Sequence, residues 1–138
     1  NISFVKPHGA LYNESVNDSD LSQIIVDAIL SFDANLAVVG LAGSKLIETS
    51  KKNKLSTLLE AFADRTYNSD GTLKDRKYSD ALIIDPKKAA NQAYAISKGY
   101  VESYENKIVD IEAETICIHS DTPNAVAIAK AVKQKMRK

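Results

Sequence analysis

Apolar residues occur along the chain in two alternating patterns, short continuous runs and stripes with helical spacing. The runs predict strands at 2–6, 35–40, 55–63, 81–84, 108–111 and 115–119. The stripes predict helices at 18–32, 44–53, 86–98 and from 122 to near the C-terminus. Because strands alternate with helices, the pattern indicates an α/β fold with a largely parallel sheet.

Cap and breaker residues set the expected helix boundaries. Asp18 or Ser19 begins the first helix, Asp85 caps a helix with Pro86 at its first position, and Thr122-Pro123 opens the last. Two apolar stripes are expected to be buried: Leu21, Ile24, Ile25, Ala28, Ile29 and Phe32 in the first helix, and Ala125, Ile128, Ala129, Val132 and Met136 in the last. No repeat or linker interrupts the chain, which predicts a single domain.

Composition and charge narrow the range of functions. The 138 residues suffice for one domain with a core, and 18 basic residues balance 18 acidic ones, which does not favour binding to nucleic acid or to a membrane surface. The one cysteine, Cys117, excludes an intramolecular disulfide and is expected to be a buried structural thiol. The apolar run 36–43 is too short to cross a bilayer, and no signal peptide is visible, so a cytoplasmic protein is expected.

Polar residues follow three of the predicted strands. Lys6 and His8 end the first, Asp64 and Arg65 end the third, and His119 and Asp121 end the last. In a parallel α/β protein the carboxyl ends of strands lie on one side of the sheet, where active sites are built. The spacing therefore predicts a cluster of Lys6, His8, Asp64, Arg65, His119 and Asp121.

These side chains suit proton transfer and the binding of an anion. Histidines transfer protons near neutral pH, carboxylates orient them or act as bases, and cations hold carboxylate or phosphate groups. Structural alternatives remain open, namely hydrogen-bonding histidines, a local pair between Asp64 and Arg65, and an Asp121 that caps the last helix. No His-Glu-x-x-His or Cys-x-x-Cys spacing predicts a metal site.

Three sequence blocks carry a resemblance to a known family. "VKPHGALYN", "EAFADRTYNSDGTLKDR" and "TICIHSDTPNAVAIAKAV" resemble, in the same order, the LamB/YcsF family, whose members are also called the A subunits of 5-oxoprolinase. The resemblance implies a (β/α) barrel-like fold, seven-stranded and related to polysaccharide deacetylases. It also implies a part in the ATP-dependent opening of 5-oxoproline to glutamate, with ATP as co-substrate and two partner subunits.

The chain departs from the family pattern in two places. Ser120 stands where the family usually has glycine between the late histidine and aspartate. The early "DLNxDxGE" and "HAGD" blocks are absent, and a full barrel takes roughly 250 residues. Residue 1 is Asn rather than Met, which indicates a fragment, tag removal or processing. We therefore expect the C-terminal half of a barrel that associates with itself or with the missing segment.

The positions that match the motifs of the LamB/YcsF family imply a set of site residues. His8, Asp64, His119 and Asp121 are the expected catalytic residues, whereas the expected substrate-binding residues are Lys6, Tyr12, Asn13, Arg65 and Arg76. Pro7 and Gly9 would shape the turn that presents Lys6 and His8. Two other functions compete with the lactam reaction: a metal-dependent amide or carbohydrate hydrolase of the deacetylase type, and a non-catalytic scaffold.

Overall fold

A computed structural model describes residues 2–137, in which six strands and five helices occur. In chain order these are β1 Phe4–Val5, α1 Gly9–Glu14, α2 Ser19–Phe32, β2 Ala37–Leu41, α3 Lys45–Lys52, β3 Thr57–Phe62, α4 Pro86–Ile96, β4 Tyr100–Glu102, β5 Ile108–Asp110, β6 Thr115–Cys117 and α5 Ala125–Met136. The chain forms two compact units, the first ending at Glu60 and the second beginning at Ala61. No helix within 2–137 has the length and apolar character that a membrane crossing requires.

The first unit contains parallel strands in the order β1-β2-β3. Phe4 is the register partner of Ala37, and Gly40 is the partner of Leu59. Its core consists of side chains from the strands, from α2, from α3 and from the turns between them: Val26, Ile29, Leu36, Val38, Leu46 and Leu55. The predicted parallel α/β arrangement is therefore present in this unit.

The predicted helices at 18–32 and 44–53 are confirmed, and local caps explain their starts. The Asp18 carboxylate accepts a hydrogen bond from the Leu21 N–H at 2.9 Å, and the Ser44 hydroxyl accepts one from the Ile47 N–H at 3.3 Å. Each bond satisfies a donor that a helix N-terminus leaves unpaired.

The predicted buried stripe of α2 is confirmed in part: Ile29 is buried, and Leu21 and Ile25 are half-buried. Val26 and Ile29 are buried, whereas Ile24 is 65% exposed and Phe32 is 77% exposed. The buried face includes Ser22, whose hydroxyl donates to the carbonyls of Ser15 and Asp18 at 3.0 and 2.6 Å. Because these bonds satisfy the hydroxyl, a polar residue occupies a position that an apolar pattern does not reveal.

A short helix that the sequence pattern did not predict follows β1. The strand is only Phe4–Val5, and α1 begins at Gly9, which has a φ of +61°. A side chain at that φ would be strained, so glycine suits this turn. The stretch after Lys6 is thus a turn leading into a helix, consistent with the predicted shaping role of Gly9.

The second unit contains the end of β3 together with β4, β5, β6, α4 and α5. β6 neighbours β3, and the Ala63 N–H donates to the Cys117 carbonyl at 3.1 Å. Asp85 caps α4 by accepting from the Lys88 N–H at 2.7 Å, as predicted. The predicted strand at 108–111 is present as β5, and it pairs antiparallel with the unpredicted strand β4.

Two predictions in this unit are wrong. Residues 81–84 form no strand, and the stretch makes only an isolated bridge between Leu82 and Arg65. The last helix begins at Ala125 rather than at 122 or 123, because Asn124 before it adopts a left-handed φ of 67°.

The predicted stripe of α5 is also only partly buried. Ile128 is buried, Ala125 and Val132 are half-buried, and Ala129 and Met136 are exposed. Cys117, expected to be buried, is half-buried.

Candidate active site

The tightest pairing among the predicted site residues joins Asp64 to His119. Asp64 lies two residues after β3, and His119 lies two residues after β6. The His119 Nδ1 is 3.1 Å from each Asp64 carboxylate oxygen. Since both residues follow the carboxyl ends of neighbouring strands, the sheet itself brings them together.

The Asp64 carboxylate is fully buried and accepts two further hydrogen bonds. The His119 backbone N–H donates to its Oδ2 at 2.9 Å, and the Thr122 hydroxyl donates to the same oxygen at 2.6 Å. Burial by itself raises the pKa of Asp64, but the bonds from the His119 ring, from Thr122 and from the His119 N–H more than offset it and lower the pKa below 3.8.

The ionised state of Asp64 determines the tautomer of His119. An ionised carboxylate only accepts hydrogen bonds, so the His119 Nδ1 must carry a proton and donate it. In a neutral imidazole the Nε2 is then the acceptor. The ring stacks on Phe62 with 5.1 Å between centroids and 12° between planes, and the His119 side chain remains 23% exposed. The arrangement therefore holds a partly exposed histidine by its Nδ1, with Nε2 as the acceptor atom of the neutral ring.

Arg65, a predicted substrate-binding residue, is buried beneath loop backbone, and its substrate-binding role stays a prediction. It is only 4% exposed, and its guanidinium donates to the carbonyls of Lys74 and Ala81 at 2.7 and 3.4 Å. Burial lowers the pKa of Arg65, and the nearby charge of Arg76 adds to this effect. In the described part of the chain, Arg65 thus donates its hydrogen bonds to carbonyls of the loop between β3 and α4. These bonds stabilise the conformation of that loop.

Arg76 and Asp121 form a more exposed pair in the same unit. The Arg76 Nη1 is 3.4 Å from the Asp121 Oδ2, and the side chains are 44% and 72% exposed. Asp121 is not the N-cap of α5, because that position belongs to Asn124. The alternative of Asp121 as a helix cap is therefore wrong.

A second cluster, Lys6 with Tyr12 and Glu60, lies in the first unit. The Lys6 Nζ donates to the Glu60 Oε1 at 2.7 Å, and the Tyr12 hydroxyl donates to the Oε2 at 2.9 Å. Glu60 and Tyr12 are each 5% exposed. The Lys6 Nζ also lies 5.3 Å from the centroid of the Tyr12 ring. Lys6 and Tyr12, two predicted substrate-binding residues, therefore share one buried acid.

His8 and Asn13 are both exposed. His8 precedes α1, and Asn13 lies within the helix near its C-terminal end. The His8 side chain makes no capping hydrogen bond. Within each unit, the structure thus brings together Lys6 with Tyr12, Asp64 with His119, and Arg76 with Asp121. A single cluster of all six predicted strand-end residues stays a prediction.

The site residues that the sequence prediction omitted are Glu60, Phe62 and Thr122. Glu60 and Phe62 lie in β3 two residues apart, at the same parity as Asp64, which follows the strand. An acid within an otherwise apolar strand was the signal that could have revealed Glu60. Thr122 was expected to open the last helix and was given no role in the site, although its hydroxyl donates to Asp64.

The described side chains do not form a site suited to a metal ion. Within 2–137 no three His, Cys, Asp or Glu residues gather in a group that could hold one. The polar groups near His119 are a carboxylate, a hydroxyl and a backbone N–H, which form one hydrogen-bonded group.

Comparison with known proteins gives the family. The model of the LamB/YcsF family matches residues 1–138. This chain belongs to the LamB/YcsF family. The resemblance seen in its three sequence blocks is thus confirmed over the whole length of the chain.

Curated relatives of this LamB/YcsF chain are named as A subunits of 5-oxoprolinase. The protein from Chloroflexus aggregans is 46% identical over 130 residues, covering 94% of this chain and 52% of the relative. The protein from Haemophilus influenzae (strain PittEE) is 38% identical over 138 residues, covering 99% of this chain and 56% of the relative. The chain therefore spans about half the length of the curated relatives it matches.

A solved structure shares the fold. The crystal structure of the lactam utilization protein from Thermus thermophilus matches with a TM-score of 0.88 and 36% identity. The match covers 99% of this chain and 55% of that one. The α/β fold with a parallel sheet is therefore that of a lactam utilization protein.

Proposed function

We propose that this chain serves in the A subunit of a 5-oxoprolinase, and that it takes part in the ATP-dependent opening of 5-oxoproline to glutamate with two partner subunits. The names of the relatives support the reaction, and their designation as one lettered subunit supports a complex of several chains. The parallel strands of the first unit and the match to a lactam utilization protein support a barrel-like fold.

The observation that carries this proposal is the Asp64–His119 pair. A fully buried carboxylate holds the histidine at Nδ1, and the His119 side chain remains 23% exposed. His119 acts as the general base and acid of the reaction, and Asp64 is a positioning residue that contacts no bulk solvent. Proton transfer by a positioned histidine contributes about 10²–10⁴-fold to a rate.

The chemistry requires protons to move twice. The lactam amide is stable, so ATP first transfers its γ-phosphoryl group to the amide oxygen and leaves as ADP. Water then attacks the activated carbon and gives up a proton to His119 Nε2. Collapse of the adduct breaks the C–N bond and leaves an acyl phosphate, while His119 returns the proton to the nitrogen that becomes the glutamate amine. A second water then hydrolyses the acyl phosphate to the side-chain carboxylate of glutamate and inorganic phosphate.

The other predicted residues take supporting roles. Lys6 holds the substrate carboxylate, with Tyr12 beside it, and Asn13 contacts substrate from the exposed end of α1. His8 is the second candidate for proton transfer. Arg76 and Asp121 lie on the exposed side of the second unit, where Arg76 contacts phosphate oxygens and Asp121 sets its position.

A metal-dependent hydrolase of the deacetylase type is less well supported. The described residues do not fit a three-ligand metal site, and the relatives carry the 5-oxoprolinase name. No step of the proposed mechanism is therefore routed through a metal.

The decisive experiment measures glutamate formation from 5-oxoproline by the protein that carries this chain, mixed with its partner subunits. We expect formation to require ATP and to yield one ADP for each glutamate. An acetylated sugar as substrate, assayed with added divalent metal, is the control for the hydrolase alternative. Deacetylation without any ATP-dependent glutamate formation would overturn the proposal.

A further inference from the structure

Glu60 is a buried acid that the proposed mechanism does not yet use. It lies in β3, where its neighbours Leu59 and Ala61 are also buried, and only 5% of it is exposed. A charge in such a place is costly unless it is paired and hydrogen-bonded. The contacts of this carboxylate therefore matter more than those of a surface acid.

Two different donors occupy the two carboxylate oxygens of Glu60. The Lys6 ammonium donates a hydrogen bond to Oε1 at 2.7 Å, and the Tyr12 hydroxyl donates one to Oε2 at 2.9 Å. An ammonium group only donates, so Glu60 accepts in this contact, and the short distance is that of a charge-assisted bond. Because Tyr12 fixes the second oxygen, the carboxylate cannot rotate away from Lys6 without losing a bond.

Lys6 is the member of this cluster that reaches the surface. Its side chain is 19% exposed, against 6% for Glu60. Lys6 directly follows β1, and Glu60 lies opposite Leu41, the last residue of β2, in parallel register. The cation therefore lies at the carboxyl ends of parallel strands, which is where α/β proteins bind their ligands.

We propose that Glu60 is a positioning residue that holds the Lys6 ammonium in place as the anchor for a substrate carboxylate. This inference rests on the proposed function, because 5-oxoproline supplies the carboxylate. Lysine has a flexible four-carbon stem, so an ammonium held beforehand loses less conformational freedom when an anion binds. The role concerns substrate binding rather than proton transfer, which distinguishes it from that of Asp64.

Kinetics of the assembled protein test the inference. Glu60→Gln keeps the size of the side chain and removes its charge, and we expect KM for 5-oxoproline to rise about tenfold while kcat changes less than about threefold. Lys6→Ala should have a similar effect, and the double variant should be no worse than Lys6→Ala alone. Independent, multiplying effects of the two substitutions would overturn the inference.

The chain offers a matched control in Glu48 of α3. Its carboxylate also accepts from two donors, Lys45 at 2.8 Å and Lys52 at 2.7 Å, but it is exposed. Glu48→Gln should leave KM and kcat unchanged. If Glu60→Gln does not fold, Tyr12→Phe replaces it, because this variant removes only the bond to Oε2 and should raise KM by a smaller factor. An unchanged KM in Tyr12→Phe would then overturn the inference.

Acetylation of Lys6 separates this inference from the proposed function. Acetic anhydride modifies exposed lysines. Mass spectrometry of the peptides then gives the acetylation rate of Lys6 relative to that of Lys45. The 5-oxoproline concentration that halves the acetylation rate of Lys6 in the wild type should do the same in Glu48→Gln, but should have little effect in Glu60→Gln. If the wild type forms no glutamate yet shows this pattern, the proposed function fails and the inference stands. Equal protection in Glu60→Gln, or none in the wild type, would overturn it.

Discussion

At the scale of single residues, one buried carboxylate determines the state of the histidine beside it. Asp64 accepts from the His119 ring, from the His119 backbone and from Thr122. Three donors around one acid stabilise its charged form, and that charge places the proton of His119 on Nδ1. Substitution of Asp64 should therefore affect stability and histidine chemistry together.

The stability contributed by Asp64 should depend on pH. Its pKa is lowered from 3.8 in the folded protein, so its contribution is present above about pH 3.8 and is lost as pH falls through the lower folded value. Asp64→Asn should reduce the free energy of unfolding by about 1–3 kcal/mol at pH 7. Urea unfolding at a series of pH values should show the gap between the variants narrowing below about pH 4. A gap that stays constant down to about pH 3 would contradict this interpretation.

His8 provides a second prediction for a single residue. If it transfers protons, His8→Ala should lower turnover of 5-oxoproline by roughly a hundredfold. Because His8 is exposed and makes no capping bond, the melting temperature should be nearly unchanged. Steady-state kinetics and a thermal melt of the same preparation check both statements. Normal turnover would remove His8 from the mechanism and leave His119 as the proton-transferring histidine.

At the scale of elements, the sequence predicted best what local chemistry determines. The caps Asp18 and Asp85 were recognisable because an acidic side chain at that place bonds a backbone N–H three residues away. The strand predicted at 81–84 failed because its apolar residues are held by a loop. The Ile83 N–H donates to the Asp64 carbonyl, and the Ala81 carbonyl accepts from the Thr66 N–H. Those partners are distant in sequence, so periodicity carries no sign of them.

The same distinction applies to the candidate site. Asp64 and His119 were predictable as partners because parallel strands align their carboxyl ends. The burial of Arg65 was not, since it depends on carbonyls of Lys74 and Ala81 in a loop without a regular pattern. The pairing of Glu60 with Lys6 joins residues 54 positions apart and likewise required the structure.

The cap of α4 provides a test at this scale. Asp85→Ala removes the acceptor for the Lys88 N–H, which should destabilise the protein by about 1 kcal/mol. Asp85→Ser keeps a side-chain oxygen that can accept the hydrogen bond from the Lys88 N–H. It is the matched control and should lose less stability than Asp85→Ala. Chemical denaturation of the three proteins gives the comparison. An alanine variant as stable as the wild type would show that the cap contributes nothing.

At the scale of the whole molecule, apolar surface on the outermost strand of the first unit is the notable feature. In β1 and just before it, Phe4 is 58% exposed and Ile2 is 74% exposed. An edge strand with exposed apolar side chains is a site of pairing with another chain. This surface supports the expectation that the 138-residue chain associates when it is alone.

Light scattering over a dilution series tests that expectation. The 138-residue chain should show a mass above 15.1 kDa that falls on dilution. Phe4→Lys should shift the association to higher concentration, because a charge on an edge strand opposes pairing. Lys51→Ala, a change at an exposed position of α3, is the control and should leave association unchanged. A monomer at every concentration would contradict the expectation.

The most direct test of the central claim is ATP-dependent glutamate formation from 5-oxoproline by the assembled protein with His119→Ala. We expect a loss of roughly a hundredfold or more in kcat. Ser120→Gly is the neighbouring control: the structure gives Ser120 no left-handed φ, so glycine is not required there and activity should be retained. If His119→Ala turned over 5-oxoproline at nearly the wild-type rate, His119 would not be the proton-transferring residue and the proposed mechanism would be wrong.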